Sequence, residues 1–204
     1  MTLLVIAVFA ATAPAATIWN QTPPNDNATN IVDFRLADDF ILSTPASLTN
    51  ISFWYQAQLQ TDLSMVAWAF YGNSGGALGG LLQSGTAVPS TSVDGNAFLA
   101  TFSISSLFLG AGTYWLELHA GSSLTDTSGF AVYWAATGDN ATNAALLAAT
   151  PDSPGSPIGN SGFEQYAFQL GGAAAVPEPI TAVLLGTGFM VLWRLRKRIR
   201  SRSR

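Results

Sequence analysis

An alternation of apolar and polar residues with a period of two constrains the fold more than any other feature of this 204-residue chain. Successive side chains of a β-strand point to opposite faces, so this period predicts strands with one face in a core and the other in solvent. Four segments show it, and the residues expected to face the core are Ile51, Phe53, Tyr55, Phe98, Ala100, Phe102, Ile104, Tyr114, Leu116, Leu118, Tyr166, Phe168 and Leu170.

Further strands are predicted at residues 33–42, 65–71, 80–84 and 129–135, with Gly-rich turns between the runs. Segment 65–71 is apolar on both faces, which indicates a central strand. About eight short strands at this spacing predict an all-β fold, an antiparallel β-sandwich of jelly-roll type over residues 31–172. Residues 16–30, rich in Asn and Pro, are predicted to form a lead-in loop.

Composition excludes several classes of function. Cysteine is absent and histidine occurs once, which excludes a Cys/His zinc site, a thiol nucleophile and disulfide bonds. Seven of the eight basic residues lie in the last eleven positions, so residues 1–193 carry twelve acidic residues against Arg35 alone. A body with a net charge of −11 repels phosphate backbones, and nucleic acid is therefore excluded as its partner.

The N-terminus has the features of an export signal. Residues 3–11 form an uncharged apolar run of the length of a secretory h-region. Ala13 and Ala15 follow as an A-x-A cleavage pattern, which makes Ala16 the first mature residue. The sequence therefore predicts a signal peptide over residues 1–15 and export by the Sec machinery.

Three elements follow one another at the C-terminus. Residues 173–179 form a linker that no regular element can cross, because it contains the sequence Val176, Pro177, Glu178 and Pro179. Residues 180–193 are uncharged and predict a short transmembrane helix, which spans about 21 Å against the ~30 Å of a bilayer core. The tail, residues 194–204, is expected to stay cytoplasmic through its stop-transfer residues Arg194, Arg196, Lys197, Arg198 and Arg200.

This tail closely resembles the PEP-CTERM protein-sorting signal, in which a Pro-Glu-Pro motif, an apolar helix and an Arg cluster occur in that order. The resemblance covers residues 176–204 and implies recognition by an exosortase, a membrane cysteine protease of Gram-negative bacteria. It also implies a transient stay in the inner membrane, followed by sorting to the cell surface or the extracellular matrix. The same tail is catalogued as the C-terminal segment of some ice-binding proteins. A plain single-span membrane anchor is the alternative interpretation.

The body resembles a class of exported β-sandwich domains that often precede this tail. Four segments carry the resemblance: residues 36–42, 51–54, 112–116 and 167–170. The class has no settled activity, so the resemblance implies a fold and no ligand.

One pair of residues could carry acid–base chemistry. His119 and Glu117 are two positions apart in a predicted strand, so they share its outward face with Trp115. A hydrolase would use such a pair, but no nucleophile motif accompanies it. A solvated strand face is the simpler explanation of the pair, and we expect no enzymatic activity.

The aromatic residues Trp54, Trp115 and Tyr133 are candidates for carbohydrate stacking. Each is predicted on an outward strand face, where a flat ring offers an apolar platform to a sugar. The alternative is that they are core or interface aromatics of a fold built from large β-formers.

Asp38 and Asp39 are the candidate calcium ligands, because adjacent carboxylates supply the oxygen atoms that this ion prefers. Turn chemistry is the alternative explanation for Asp residues near loops. No other cofactor is expected. A ladder of Thr residues, as ice binding would need, is not visible in the body.

The sequence thus predicts an exported, non-enzymatic protein of the cell surface or extracellular matrix. Its expected partners are an exosortase, the inner membrane in passing and, through the body, an exopolysaccharide. A carbohydrate-binding module is the main alternative, and an ice-binding protein or a plain membrane-anchored protein is a lesser one.

Overall fold

The computed structural model describes residues 16–137, 146–149, 159–160 and 165–175. Within them are fourteen β-strands and one 3₁₀ turn at Gln60–Asp62. The strands are β1 (Ala16–Gln21), β2 (Pro24–Asn30), β3 (Phe34–Leu42), β4 (Ala46–Ala57), β5 (Val66–Asn73), β6 (Leu78–Ala87), β7 (Ser90–Asp94), β8 (Ala97–Leu109), β9 (Gly112–Ala120), β10 (Val132–Thr137), β11 (Leu146–Ala149), β12 (Gly159–Asn160), β13 (Gln165–Tyr166) and β14 (Phe168–Ala174).

The strands form two sheets in which all pairings are antiparallel. In the larger sheet, of eight strands, β4 is central: it pairs with β8 along one edge and with β14 and β10 along the other. The smaller sheet has six strands in the order β12-β11-β3-β9-β5-β6. The predicted all-β antiparallel class is therefore confirmed, whereas the jelly-roll connectivity stays a prediction.

The two sheets share one hydrophobic core. Phe40 of the smaller sheet lies in this core. Its ring centroid is 5.9 Å from that of Phe70 in the same sheet and 6.3 Å from that of Phe168 in the larger sheet. Both contacts are edge-to-face, the geometry that aromatic quadrupoles favour. The residues predicted to face the core all belong to it or pack against it, so the period of two located this face correctly.

The predicted central strand at 65–71 is an interior strand, second from the edge of the smaller sheet. Strand β5 lies between β9 and β6, and its residues Val66–Tyr71 are buried on both faces. A strand covered on both faces has no need of polar alternation.

The predicted lead-in loop over residues 16–30 is wrong, because these residues form β1 and β2. Strand β1 pairs with β14 from Ala16 to Gln21, and β2 pairs with β10. Proline is tolerated at Pro24 because it is the first residue of its strand. Tertiary pairing thus overrode the loop-like composition. At the other end, β14 runs to Ala174, two residues into the predicted linker.

No helix in the described part of the chain is long and apolar enough to cross a membrane. The predicted signal peptide, residues 1–15, and the predicted transmembrane helix, residues 180–193, lie outside the described residues. The chain divides into two units after Ala174, where the last strand ends.

Candidate functional site

The outer face of the smaller sheet carries the residues that resemble an acid–base pair, and it is buried. We call it the closed face; its members on β9 are Trp115, Glu117 and His119, which share one side of the strand as predicted. Glu117 and His119 are each 0% exposed, so the prediction of a solvated strand face is wrong.

His119 contacts backbone oxygens with both ring nitrogens. Nδ1 lies 3.4 Å from the carbonyl oxygen of Phe34, and Nε2 lies 2.5 Å from that of Asp126. Asp126 in turn accepts hydrogen bonds from Ser122 and Ser128, and these bonds lower its carboxyl pKa. The imidazole therefore connects β9 to the loop that follows it.

Glu117 is the acceptor at the centre of a buried polar cluster. Its Oε1 accepts from Arg35 Nε at 2.6 Å, and its Oε2 accepts from Arg35 Nη2 at 2.8 Å and from the Tyr71 hydroxyl at 2.6 Å. Burial and the charge of Glu117 raise the pKa of Tyr71. Burial lowers the pKa of Arg35, but the hydrogen bond and charge of Glu117 outweigh it and raise that pKa overall. Both oxygens of the carboxylate are thus used in structural bonds.

Trp115 is not a carbohydrate platform, which corrects the sequence prediction. Its side chain is 1% exposed and packs against Ala37, Ala69 and Tyr71. Its indole Nε1 donates to Asn73 Oδ1 at 3.1 Å. A ring enclosed in this way has no free face for a sugar.

Asp38 and Asp39 do not form the predicted calcium site. They pair in regular antiparallel register with Leu116 and Trp115, so consecutive side chains point to opposite faces of β3. Asp39 lies on the closed face, whereas Asp38 points between the sheets. Two carboxylates separated by a sheet cannot ligate one ion. Among the described residues, no group of three or more His, Asp or Glu side chains could hold a metal ion.

Asp38 instead joins the two sheets through hydrogen bonds. Its Oδ2 accepts from Gln21 Nε2 at 2.8 Å and from the backbone N–H of Tyr166 at 2.7 Å, and both donors belong to the larger sheet. Burial raises the pKa of this carboxyl to about 8, although the N–H donors oppose the shift by favouring the charged form. A carboxyl of this kind is a structural contact in the core.

The outer face of the larger sheet is open and holds the best candidate site. One depression there, of about 420 Å³, has Trp54 and Gln56 of β4 on its floor. Asn25 and Asp26 of β2 line it on one side, and the β7–β8 turn, Asp94, Gly95 and Asn96, on the other. Trp54 is only 6% exposed, and its Nε1 donates to Asp94 Oδ2 at 2.7 Å.

A second depression, of about 390 Å³, adjoins the first, since Gln56 lines both. Two exposed aromatic side chains border it: Tyr133, 38% exposed, and Phe130, 71% exposed. Tyr133 and Gln56 are cross-strand partners on β10 and β4, so their side chains stand on the same face. We call the two depressions together the groove.

The groove combines aromatic rings with polar side chains, of which Asp94 and Gln56 also make hydrogen bonds within the protein. Amide groups come from Gln56, Gln58, Asn25 and Asn96, and carboxylates from Asp26, Asp62 and Asp94. This mixture suits a ligand with apolar faces and many hydroxyl groups. Of the three predicted stacking residues, only Tyr133 presents an exposed ring here. Trp54 lines the groove but, at 6% exposed, is too buried to stack on a sugar, and Trp115 is excluded.

Phe130 falls inside the predicted strand 129–135 but was not recognised as a site residue; the observed strand begins only at Val132, which leaves Phe130 in the connecting segment. It follows Gly129, whose φ of +141° is a conformation that favours glycine. A bulky apolar residue beside such a glycine in a connecting segment was the only signal that could have marked it.

The fold and groove define an all-β, two-sheet domain with an open groove on one face. The family model of the PEP-CTERM protein-sorting motif matches residues 175–198, directly after β14. The chain therefore carries a PEP-CTERM sorting motif, which implies recognition by exosortase and supports a surface protein targeted by it. No curated protein matches the chain.

The predicted sorting and export residues themselves lie outside the described residues. They are Ala13, Ala15, Val176, Pro177, Glu178, Pro179, Arg194, Arg196, Lys197, Arg198 and Arg200. The motif match includes those from Val176 to Arg198.

Proposed function

We propose that this chain is an exported, non-enzymatic protein of the cell surface or extracellular matrix, sorted there through its C-terminal signal. The observation that carries the proposal is the position of the motif. It begins at residue 175, and the last strand of the domain ends at Ala174. A protease acting within the motif can therefore remove the tail without removing a residue from either sheet.

Each part of the tail has a physical role in this proposal. Residues 180–193 hold the chain in the inner membrane for a time, and the Arg cluster keeps the C-terminus in the cytoplasm. Pro177 and Pro179 prevent a helix or strand from continuing through the motif, so an extended stretch is offered to the exosortase.

The non-enzymatic part of the proposal is supported by the state of the closed face. His119 and Glu117, the pair that could perform acid–base catalysis, are buried and bonded to backbone oxygens, Arg35 and Tyr71. A substrate has no access to side chains enclosed in this way.

The test is the intact mass and cell fraction of the native protein in cells with and without exosortase. We expect a product that ends near Pro177, Glu178 and Pro179 in the surface or matrix fraction of wild-type cells, and an unprocessed chain in the mutant cells. Glu178→Gln should block processing, and Glu164→Gln, the same change outside the motif, should not. A chain that still ends at Arg204 in the inner membrane of wild-type cells would establish a plain single-span anchor instead.

Carbohydrate binding is a second candidate function, and the exposed pair Phe130 and Tyr133 beside the groove favours it. If the body retains the protein in a polysaccharide matrix, Tyr133→Ala should release the processed protein from the matrix fraction into the medium. Phe108→Ala is the matched control, because Phe108 is 64% exposed on β8 of the same sheet and lies away from the groove. Equal release by both variants would contradict this function.

A further inference from the structure

We propose that the groove binds an uncharged polysaccharide chain along its length, and that it rejects acidic polysaccharides. This inference rests on the carbohydrate-binding candidate above and names its ligand class. Three observations carry it: the extent of the groove, the side chains that line it, and its charge.

The groove is longer than a compact ligand needs. It extends from the β7–β8 turn across β8 and β4 to β10, as the residues of the two depressions show. Three inter-strand spacings of ~4.8 Å give roughly 14 Å, which is more than the width of a single sugar ring. Each depression alone is within the size range of small-molecule pockets, about 300–1,000 Å³. Two that share Gln56 form a track longer than one sugar unit.

The side chains along the track match the two kinds of surface that a sugar presents. The faces of Tyr133 and Phe130 carry the negative part of the ring quadrupole, which attracts the weakly positive C–H groups on a sugar face. The amides of Gln56, Gln58 and Asn96 offer both donors and acceptors to sugar hydroxyls.

Trp54 acts as a positioning residue in this arrangement. It is too buried to stack on a ligand, but its indole N–H holds the carboxylate of Asp94 at the end of the groove. Gln56 reaches the opposite side of the groove, where its Nε2 lies 3.4 Å from the backbone oxygen of Asp26.

Charge decides which polysaccharides can enter. Asp26, Asp62 and Asp94 line the groove, and none of its described lining residues is basic. The only basic residue before position 194 is Arg35, which is buried on the closed face. Like charges repel each other, and the repulsion is stronger near a protein surface than in bulk water. A polymer of uronic acids would meet this repulsion along its whole length.

Affinity electrophoresis in native gels tests the inference with the full chain in non-ionic detergent. Dextran, glucomannan and hydroxyethyl cellulose are the uncharged probes, and alginate and polygalacturonate the acidic ones. We expect at least one uncharged polymer to retard the protein and neither acidic polymer to do so. Tyr133→Ala and Phe130→Ala should each weaken the retarding polymer's binding at least tenfold, whereas Phe108→Ala should leave it unchanged.

Two further results would overturn the inference: no retardation by any of the three uncharged polymers, or stronger retardation by an acidic one. A charge-reversal variant tests the exclusion of acidic polymers through a gain of binding, which a misfolded protein would not show. Asp26→Lys, at an exposed position, should allow alginate to bind. Thermal unfolding of each variant checks that it is folded. Correct sorting without retardation would reject this inference alone, and retardation without sorting would reject only the sorting proposal.

Discussion

The two outer faces of the sandwich arise from the same alternating pattern, yet one is closed and the other open. On β9 of the smaller sheet, the outward residues Trp115, Glu117 and His119 are enclosed. On β10 of the larger sheet, the outward Tyr133 is exposed beside the groove. A period of two separates the faces of a strand, but it does not say whether the second face meets solvent.

Polar groups reveal the difference between the faces through their partners. On the closed face, both carboxylate oxygens of Glu117 accept hydrogen bonds from Arg35 and Tyr71, because a buried charge is costly unless it is paired and hydrogen-bonded. The amides of Gln58 and Asn96 lie in the open groove and are exposed to solvent. Residues that look catalytic in sequence are thus structural here, and the candidate site lies on the opposite side of the domain.

The largest effect on stability should come from removing the main aromatic ring of the closed face. Trp115→Ala leaves a cavity among Ala37, Ala69 and Tyr71, and we expect the free energy of unfolding to fall by about 3–5 kcal/mol. Equilibrium unfolding in urea measures this, with Trp115→Phe as the milder control. A loss below about 1 kcal/mol would mean that the closed face is open in solution.

Breaking the buried ion pair should have the next largest effect. Glu117→Gln keeps the size of the side chain but leaves the Arg35 charge without its counter-ion, so we expect a loss of about 3 kcal/mol in unfolding free energy. Asp33→Asn is the control, because that carboxylate is exposed and its neutralisation should change little. Equal losses in the two variants would refute the distinction between buried and exposed charges.

Asp38, between the two sheets, should make stability depend on pH. Its pKa is about 8 in the folded state against 3.8 ordinarily, so the folded protein holds a proton that the unfolded chain has already released. Stability therefore falls as pH rises through this window, by about 2 kcal/mol from pH 5.5 to 7.0. Urea unfolding at several pH values measures the slope. Asp38→Asn should remove this contribution, and an unchanged slope in that variant would assign the dependence to other groups.

The smallest effect should come from the open face. Phe130→Ala removes a side chain that is 71% exposed, so its unfolding free energy should stay within about 0.5 kcal/mol of the original. Thermal and urea unfolding check this, and Trp115→Ala is the contrasting aromatic variant. A loss above about 1 kcal/mol would show that Phe130 packs against the domain and would remove it from the groove.

Local patterns predicted the core and the tail, because both depend on residues close together in sequence. Ile51, Phe53 and Tyr55 face the core as their spacing required, and the sorting motif is contiguous. The same period of two also places Asp38 and Asp39 on opposite faces of their strand, which by itself argues against a calcium ion bound by both. The burial of Trp115 and the strand pairing of residues 16–30 depend on distant segments, which no local pattern contains.

The position of β14 sets an order of events for an exported chain. This strand lies between β1 and β4. The first strand of the domain, β1, is therefore joined to the rest of the larger sheet through the last strand, β14. If the chain crosses a membrane with its N-terminus first, as proposed, the sheet lacks this connection until residues 168–174 have crossed. The sorting motif starts at the next residue, so completion of the fold and arrival of the processing signal coincide in time.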